Sequence, residues 1–171
     1  MPVSPAELSD AVIERAIEKG VGEVITTMAA EKIESLGRTP NPPLHSRPVN
    51  IEGQHIVASV GFIGDLEGII NIHFDDDVAL ALAAKILGMT PAEVTANGVL
   101  IDAMGEMANM IVGVFKNSLG DGGFVCKLTL PSIIRGSDFH VDHALKSGKR
   151  YIFNFRCQGR AIVTDIIMEI E

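Results

Sequence analysis

The chain has 171 residues, of which 47% are apolar and 21% are charged. This composition excludes a chain that is disordered throughout, and the length favours one folded domain over residues 1–171. With 22 acidic and 14 basic residues the formal net charge is −8, which argues against nucleic-acid binding and against docking on an anionic membrane, because both need a basic face.

Neither a membrane span nor a secretory leader is indicated. No apolar run reaches the ~18 residues that suggest a transmembrane helix, and the first ten residues, MPVSPAELSD, lack the basic and apolar regions of a secretory signal. We therefore expect a cytoplasmic protein. In that compartment Cys126 and Cys157 are expected to be reduced and buried, and a disulfide between neighbouring strands is the less favoured alternative.

Two segments carry the same helix-start signal. Residues 4–7 (SPAE) and 90–93 (TPAE) each combine a capping hydroxyl, a proline in the first turn and a glutamate three residues after the cap. The first predicts a nearby helix that ends around residues 36–37. The proline-rich stretch 38–48 that follows predicts an extended surface loop.

A β-hairpin is predicted after this loop. Residues 55–63 (HIVASVGFI) and 66–74 (LEGIINIHF) are strand-like and are joined by a turn at residues 64–65. In the second strand, apolar residues alternate with Asn71 and His73. We therefore place both on a polar face, where His73 is expected to be exposed or hydrogen-bonded.

The remaining elements complete the fold prediction. A short helix is expected at residues 75–88, followed by a long apolar helix that includes residues 99–115. A strand at 126–130 and a second hairpin, formed by residues 151–155 and 161–170, close the chain. This order predicts an α+β fold in which an antiparallel β-sheet packs against long α-helices.

A narrow polar strip interrupts the long apolar helix. At about 100° per residue, Asp102, Glu106, Asn109 and Gly113 fall within an arc of roughly 60°, and Gly105 lies on its flank. The simplest interpretation is a solvated helix face. However, like charges four residues apart, an amide and two glycines each weaken a helix, by a few tenths to ~1 kcal/mol. A docking surface is therefore the alternative interpretation.

The chemistry of two residues in this strip suits phosphoryl hydrolysis. The carboxylate of Glu106 can pair with a cation or accept a proton, and the amide of Asn109 can hold a water molecule in one orientation. Neither is a nucleophile here. Together they suit a site that binds a partner and aligns a water molecule for in-line attack on phosphorus.

This segment also resembles a known family. Residues 102–113 (DAMGEMANMIVG), with the pattern D-xxx-E-xx-N, resemble the active helix of the CheC/CheX/FliY phosphatases. The order of elements supports the resemblance. Within the family the chain is most similar to CheX, because the CheC type typically carries a second Glu-xx-Asn site on its first helix. The comparable register here has Asp10 and Glu14 but then Ile17, and the proline-rich loop has no counterpart that we can assign.

The resemblance implies an activity, a partner and residue roles. The activity would be hydrolysis of the aspartyl phosphate of a CheY-like response regulator by a protein that often forms homodimers through strand edges. Asn109 would orient the attacking water, and Glu106 would pair with a lysine of the receiver domain. Asp102, Gly105 and Gly113 would contact the partner. The Mg²⁺ ion would belong to the phosphorylated partner, so the chain would need no cofactor or metal of its own.

Other functions and sites are alternatives to this one. A non-catalytic module of the same fold would bind a receiver domain or a motor component, and a purely structural dimerisation domain would leave the polar strip incidental. His140, Asp142 and His143, in HVDH, could hold a transition metal, but an incidental solvated turn is favoured. The glycine-rich stretch 119–123 ends a helix and lacks the lysine of a phosphate-binding loop.

Overall fold

The computed structural model describes residues 7–45, 51–137, 139, 141–142 and 147–169. Within them the strands form an antiparallel sheet in the order β1-β6-β7-β3-β2-β4, and β5 also pairs with β2. The elements in chain order are α1 (Asp10–Ala29), β1 (Glu34–Arg38), β2 (His55–Gly64), β3 (Glu67–Asp75), α2 (Asp76–Leu87), α3 (Pro91–Asn97), α4 (Leu100–Asp121), β4 (Cys126–Leu128), β5 (Ser132–Gly136), β6 (Lys149–Cys157) and β7 (Arg160–Glu169).

Helices cover one face of this sheet, which confirms the predicted α+β class. The long helices α1 and α4 pack against each other, and α2 and α4 contact β2. Burial of large apolar side chains between these layers supplies the main stabilisation. No single helix in the described part of the chain is long and apolar enough to cross a membrane, and α2 with α3 passes that test only as a pair bent by 89°. Fully buried aromatic residues of the core are Phe62, Phe74, Phe115 and Phe153.

Both predicted hairpins are confirmed. In β2 and β3, Val60 lies opposite Ile70, and the turn falls between Gly64 and Glu67. In β6 and β7 the turn uses Gln158 and Gly159, whose φ angles are +52° and +73°. Such left-handed backbone conformations favour glycine, which is the residue present at position 159.

The helix signals after the first hairpin are also confirmed. The Asp75 carboxylate accepts a hydrogen bond from the backbone N–H of Asp77 and so caps α2, and Gly88 ends this helix with φ +64°. The Thr90 hydroxyl accepts from the backbone N–H of Glu93 and caps α3. These contacts satisfy backbone donors that a helix leaves unpaired at its start.

The prediction for the end of the first helix is wrong. Helix α1 ends at Ala29, Ala30 adopts a left-handed conformation with φ +52°, and residues Glu34–Arg38 form strand β1. Strand β1 pairs with β6 at the sheet edge. Backbone pairing with another strand is a tertiary contact that local periodicity does not reveal, so it overrode the helical pattern. The first capping signal at residues 4–6 lies outside the described residues.

The second face of the sheet is also buried, so the expectation for His73 needs correction. His73 is 2% exposed, and neither ring nitrogen has a hydrogen-bond partner among the described residues. Burial, with His55 and Arg150 as smaller causes, lowers the pKa of His73 to about 4. The proline-rich loop helps to bury this face of the sheet, because Arg150 Nη1 donates a hydrogen bond to the carbonyl oxygen of Pro43 at 2.8 Å. Asp165 balances the charge of Arg150, since Nε and Oδ1 lie 2.8 Å apart.

The predicted strand at residues 126–130 is shorter than expected and is followed by an unpredicted strand, β5. Leu128 pairs with Phe62 and Ser132 pairs with Ser59, so residues 129–131 face only two residues of β2. One extra residue on one strand is a β-bulge, and we call residues 129–131 the edge bulge. Pro131 cannot donate a ladder hydrogen bond, which accounts for the break between β4 and β5.

Candidate active site

Helix α4 is fixed by burial on most of its circumference. Its apolar residues pack into the core, and its backbone approaches α1 closely at Gly20, where an added Cβ atom would lie 2.6 Å from the carbonyl oxygen of Ile111. Glycine is therefore required at this crossing. A helix held in this way presents its remaining side chains from a rigid backbone. The buried residues of its core face include Ala103, Met104, Met107, Ala108, Ile111, Val112 and Phe115.

The polar strip, defined as Asp102, Glu106, Asn109 and Gly113, forms the solvent side of α4. The first three side chains are exposed and Gly113 is half-buried. A Cβ atom on Gly113 would meet nothing within 4 Å. In the described part of the chain, the side chains of Asp102, Glu106 and Asn109 make no hydrogen bond or ion pair, so their polar groups are available to a partner. Residues three or four apart on a helix have Cβ atoms about 5–6 Å apart, so Glu106 and Asn109 can act on one bound group.

Gly105 does not belong to this surface, and its expected role in partner binding needs correction. The residue is buried, and its Cβ position lies 3.7 Å from Cγ of Pro131 and 3.9 Å from Cδ1 of Ile133. Gly105 therefore packs beneath the sheet edge. The periodicity placed it correctly on the flank of the strip, but a helical wheel cannot show that β5 covers that flank.

Helix α1 offers no second site of the same kind. In the matching register Asp10 is exposed and Glu14 is half-buried, but Ile17 is 0% exposed and belongs to the core. An amide at that position would face apolar side chains instead of a partner. The structure thus carries one exposed Glu-xx-Asn pair among the described residues of its two long helices.

The strip is an exposed row of side chains on the outer face of α4. A cavity of about 460 Å³ lies beyond the strip at the end of α4, lined by residues that include Asn117, Asp121 and Phe124, and it contains none of the strip residues. Small-molecule sites are usually concave clefts that enclose the ligand. An exposed row of side chains on a convex helix suits the surface of another protein better than a small substrate.

The remaining candidates add no catalytic cluster. Within the described part of the chain, no group of three or more His, Cys, Asp or Glu side chains is placed to hold a metal ion. His140 and His143 of the HVDH motif lie outside the described residues. Cys126 and Cys157 are free and buried, as expected, and burial raises the pKa of both thiols.

A comparison with protein families decides the assignment. The family model for the chemotaxis phosphatase CheX matches residues 56–156, which is more than half of the chain. The chain belongs to the CheX family. The match to the CheX model contains all of α4 with the polar strip, whereas α1 lies outside it. No curated protein matches the chain.

Solved structures of CheX and related proteins share the fold. The chain resembles a CheC-like superfamily protein from Shewanella sp. PV-4 with a TM-score of 0.78 and 21% identity over 95% of this chain and 100% of that one. For CheX from Desulfovibrio desulfuricans the TM-score is 0.78 and the sequence identity is 22%, over 92% of this chain and 99% of that one. For a chain in the CheX–CheY–BeF₃–Mg²⁺ complex from Borrelia burgdorferi the TM-score is 0.72 and the sequence identity is 23%, over 92% of this chain and 98% of that one.

Proposed function

We propose that this chain hydrolyses the aspartyl phosphate of a CheY-like response regulator. One observation carries the proposal. The side chains of Glu106 and Asn109 are exposed and have no partner among the described residues, and they lie on a helix of a CheX-family protein whose other faces are buried. A structural helix face would gain stability from long side chains in ion pairs of opposite sign. This strip instead presents short polar groups and open space, which suits a protein surface that approaches closely.

Asn109 is proposed to position the attacking water. Its amide carries both a donor and an acceptor, so it can fix the orientation of a water molecule beside the phosphoryl group. The water oxygen attacks phosphorus, the bond between phosphorus and the aspartyl oxygen breaks, and the receiver carboxylate leaves as inorganic phosphate forms. Such hydrolysis depends mainly on positioning and electrostatics, so a rigid helix that carries the amide is sufficient scaffold.

Glu106 and Asp102 are proposed to bind the receiver domain. Glu106 lies one turn from Asn109, and its carboxylate can pair with a lysine beside the phosphorylation site. Asp102 extends the acidic surface by one more turn, and Gly113 removes a side chain where the partner approaches. Any Mg²⁺ is assigned to the receiver domain. The Borrelia relative, whose complex contains CheY, BeF₃ and Mg²⁺, supports a partner of this type.

The first test is the decay rate of phosphorylated receiver domains from the same genome, with and without the chain. We expect acceleration of at least one receiver, and loss of about a hundredfold in kcat for Asn109→Ala, since misplacing the reacting water costs about this factor. Binding of that receiver in its BeF₃- and Mg²⁺-bound form should persist.

Asn117→Ala provides a matched control, because Asn117 is an exposed asparagine on the same helix outside the strip. This variant should keep the activity of the native chain. Binding without acceleration across all receivers would instead support a non-catalytic module. If no receiver binds, the polar strip is an ordinary solvated face and the proposal is wrong.

A further inference from the structure

The edge bulge exposes a large apolar side chain. Leu130 is 88% exposed, more than any other large hydrophobic residue in the described part of the chain. An isolated exposed leucine is common on protein surfaces. Its position is what makes this one informative, because the residue sits in an irregularity of the sheet next to the candidate active site.

The bulge fixes the backbone on both sides of Leu130. Thr129 is anchored to the neighbouring strand, since its backbone N–H donates to the carbonyl oxygen of Gly61 at 2.9 Å and its hydroxyl accepts from the N–H of Gly61 at 2.9 Å. Register resumes at Ser132, opposite Ser59. Leu130 is therefore held between two fixed points. Bulges at sheet edges re-aim side chains in this way and are frequent next to active sites.

This position borders the polar strip. The residue after Leu130 is Pro131, whose Cγ lies 3.7 Å from the Cβ position of Gly105, and Gly105 directly precedes Glu106. The peptide bond between Leu130 and Pro131 is trans, so their Cα atoms are about 3.8 Å apart. The edge bulge thus approaches α4 at Gly105, the residue before Glu106 of the strip, and Leu130 lies one residue from that approach.

We infer that Leu130 is a specificity-determining contact for the receiver domain, and this inference rests on the proposed function. A partner that seats its phosphorylation site over Glu106 and Asn109 reaches across the flank covered by Pro131 and meets Leu130. The surface that fits combines a basic group for the acidic strip with an apolar side chain beside it. Burial of one leucine at the border of such an interface adds affinity without touching the reacting atoms.

Protection of the sheet edge alone does not require this leucine. The proline and the bulge already interrupt the row of backbone donors and acceptors that a foreign strand would use. A polar residue at position 130 would serve that purpose better, because an exposed apolar side chain at an edge favours aggregation. Edge protection therefore does not explain the leucine.

Leu130→Ala and Leu130→Asp test this inference with the receiver that the native chain dephosphorylates. We expect KM to rise about tenfold for Leu130→Ala and further for Leu130→Asp, with kcat unchanged, because the lost contact is equally present before and during the reaction. Affinity for the BeF₃- and Mg²⁺-bound receiver should fall by the same factor. Thermal unfolding should not shift, since the side chain is 88% exposed.

Leu36→Ala is the matched control, because Leu36 is 47% exposed on β1, at the opposite edge of the sheet. It should leave KM unchanged. If the native chain is active and neither Leu130 variant alters KM, the inference is wrong while the proposed function stands. If sedimentation shows that only self-association is lost, the edge binds a second copy and the inference is also wrong. A native chain that neither binds nor dephosphorylates any receiver overturns both.

Discussion

Helices α1 and α4 carry nearly the same pattern but present it to different surroundings. Both read D-xxx-E-xx, and the next residue is Ile17 in α1 and Asn109 in α4. Ile17 is 0% exposed, whereas Asn109 is exposed. The residue at the last position of the pattern thus matches its burial. In α1 this position faces the core and holds an apolar residue, whereas in α4 it faces solvent and holds an amide.

Two glycines, Gly20 of α1 and Gly113 of α4, have different surroundings. Gly20 of α1 allows the backbones to touch, because any Cβ there would collide with the Ile111 carbonyl oxygen. Gly113 of α4 faces open space, where a side chain would meet nothing of its own chain. Packing therefore explains the first glycine and not the second.

Exchanging the residues at the matched position has the largest expected effect. Ile17→Asn should destabilise the fold by about 4 kcal/mol, because it removes apolar contacts and leaves a buried amide without partners. Asn109→Ile should change stability by less than about 0.5 kcal/mol, since the position is exposed, yet abolish turnover. Urea unfolding and the receiver decay assay measure the two effects.

The same exchange also tests whether burial is the reason for the difference. If Ile17→Asn folds with native stability, position 17 must be accessible, and the contrast between the helices is wrong. If it also adds a second active site, the rate per chain should rise above that of the native protein. We expect neither result, because position 17 faces the core of the fold.

Alanine at the two glycines has the next largest effect, with opposite signs. Gly20→Ala should destabilise the protein by about 1–3 kcal/mol, because α1 and α4 must separate to admit the methyl group. Gly113→Ala should stabilise it by up to about 1 kcal/mol through higher helix propensity. Unfolding midpoints compare them directly. Equal effects at both positions would show that the close approach at Gly20 is not tight.

The sequence predicts the parts of this fold that depend on local chemistry. Helix starts are predicted by the capping residues Asp75 and Thr90, and a helix end is predicted by Gly88, which adopts a left-handed backbone conformation. The alternation of apolar and polar residues predicts the long strands. Strand β1 was missed because its stability comes from pairing with β6, far away in the sequence. His73 was misplaced because the sequence does not show that a loop covers the second face of the sheet.

The candidate site was predictable to a similar degree. Helical periodicity placed Asp102, Glu106 and Asn109 on one exposed face, which the structure confirms. It could not show that β5 covers Gly105, nor that a bulge separates β4 from β5 at the sheet edge. Both facts depend on which strand forms the sheet edge next to α4, and this is a property of the tertiary fold.

The smallest effect is expected at the aspartates that open the two patterns. Asp10 accepts a hydrogen bond from the Tyr151 hydroxyl at 2.9 Å and contacts Arg38 at 3.1 Å, whereas Asp102 has no such partner among the described residues. The bond from Tyr151, and then Arg38, lower the pKa of Asp10. Asp10→Asn should therefore cost at most about 1 kcal/mol, because its side chain is 51% exposed and screened by solvent.

The pH dependence distinguishes the two aspartates further. A carboxylate whose pKa is lowered by folding stabilises the native state above its unfolded pKa of about 3.9 and loses that contribution as the pH falls through the folded value. The difference in stability between the native chain and Asp10→Asn should therefore be constant near pH 7 and disappear in strong acid. Asp102→Asn should leave stability near pH 7 within about 0.5 kcal/mol of the native value, because the side chain is exposed, and should weaken receiver binding. A stability loss in Asp102→Asn as large as in Asp10→Asn would show that the strip has a structural role, and its assignment to a partner would fail.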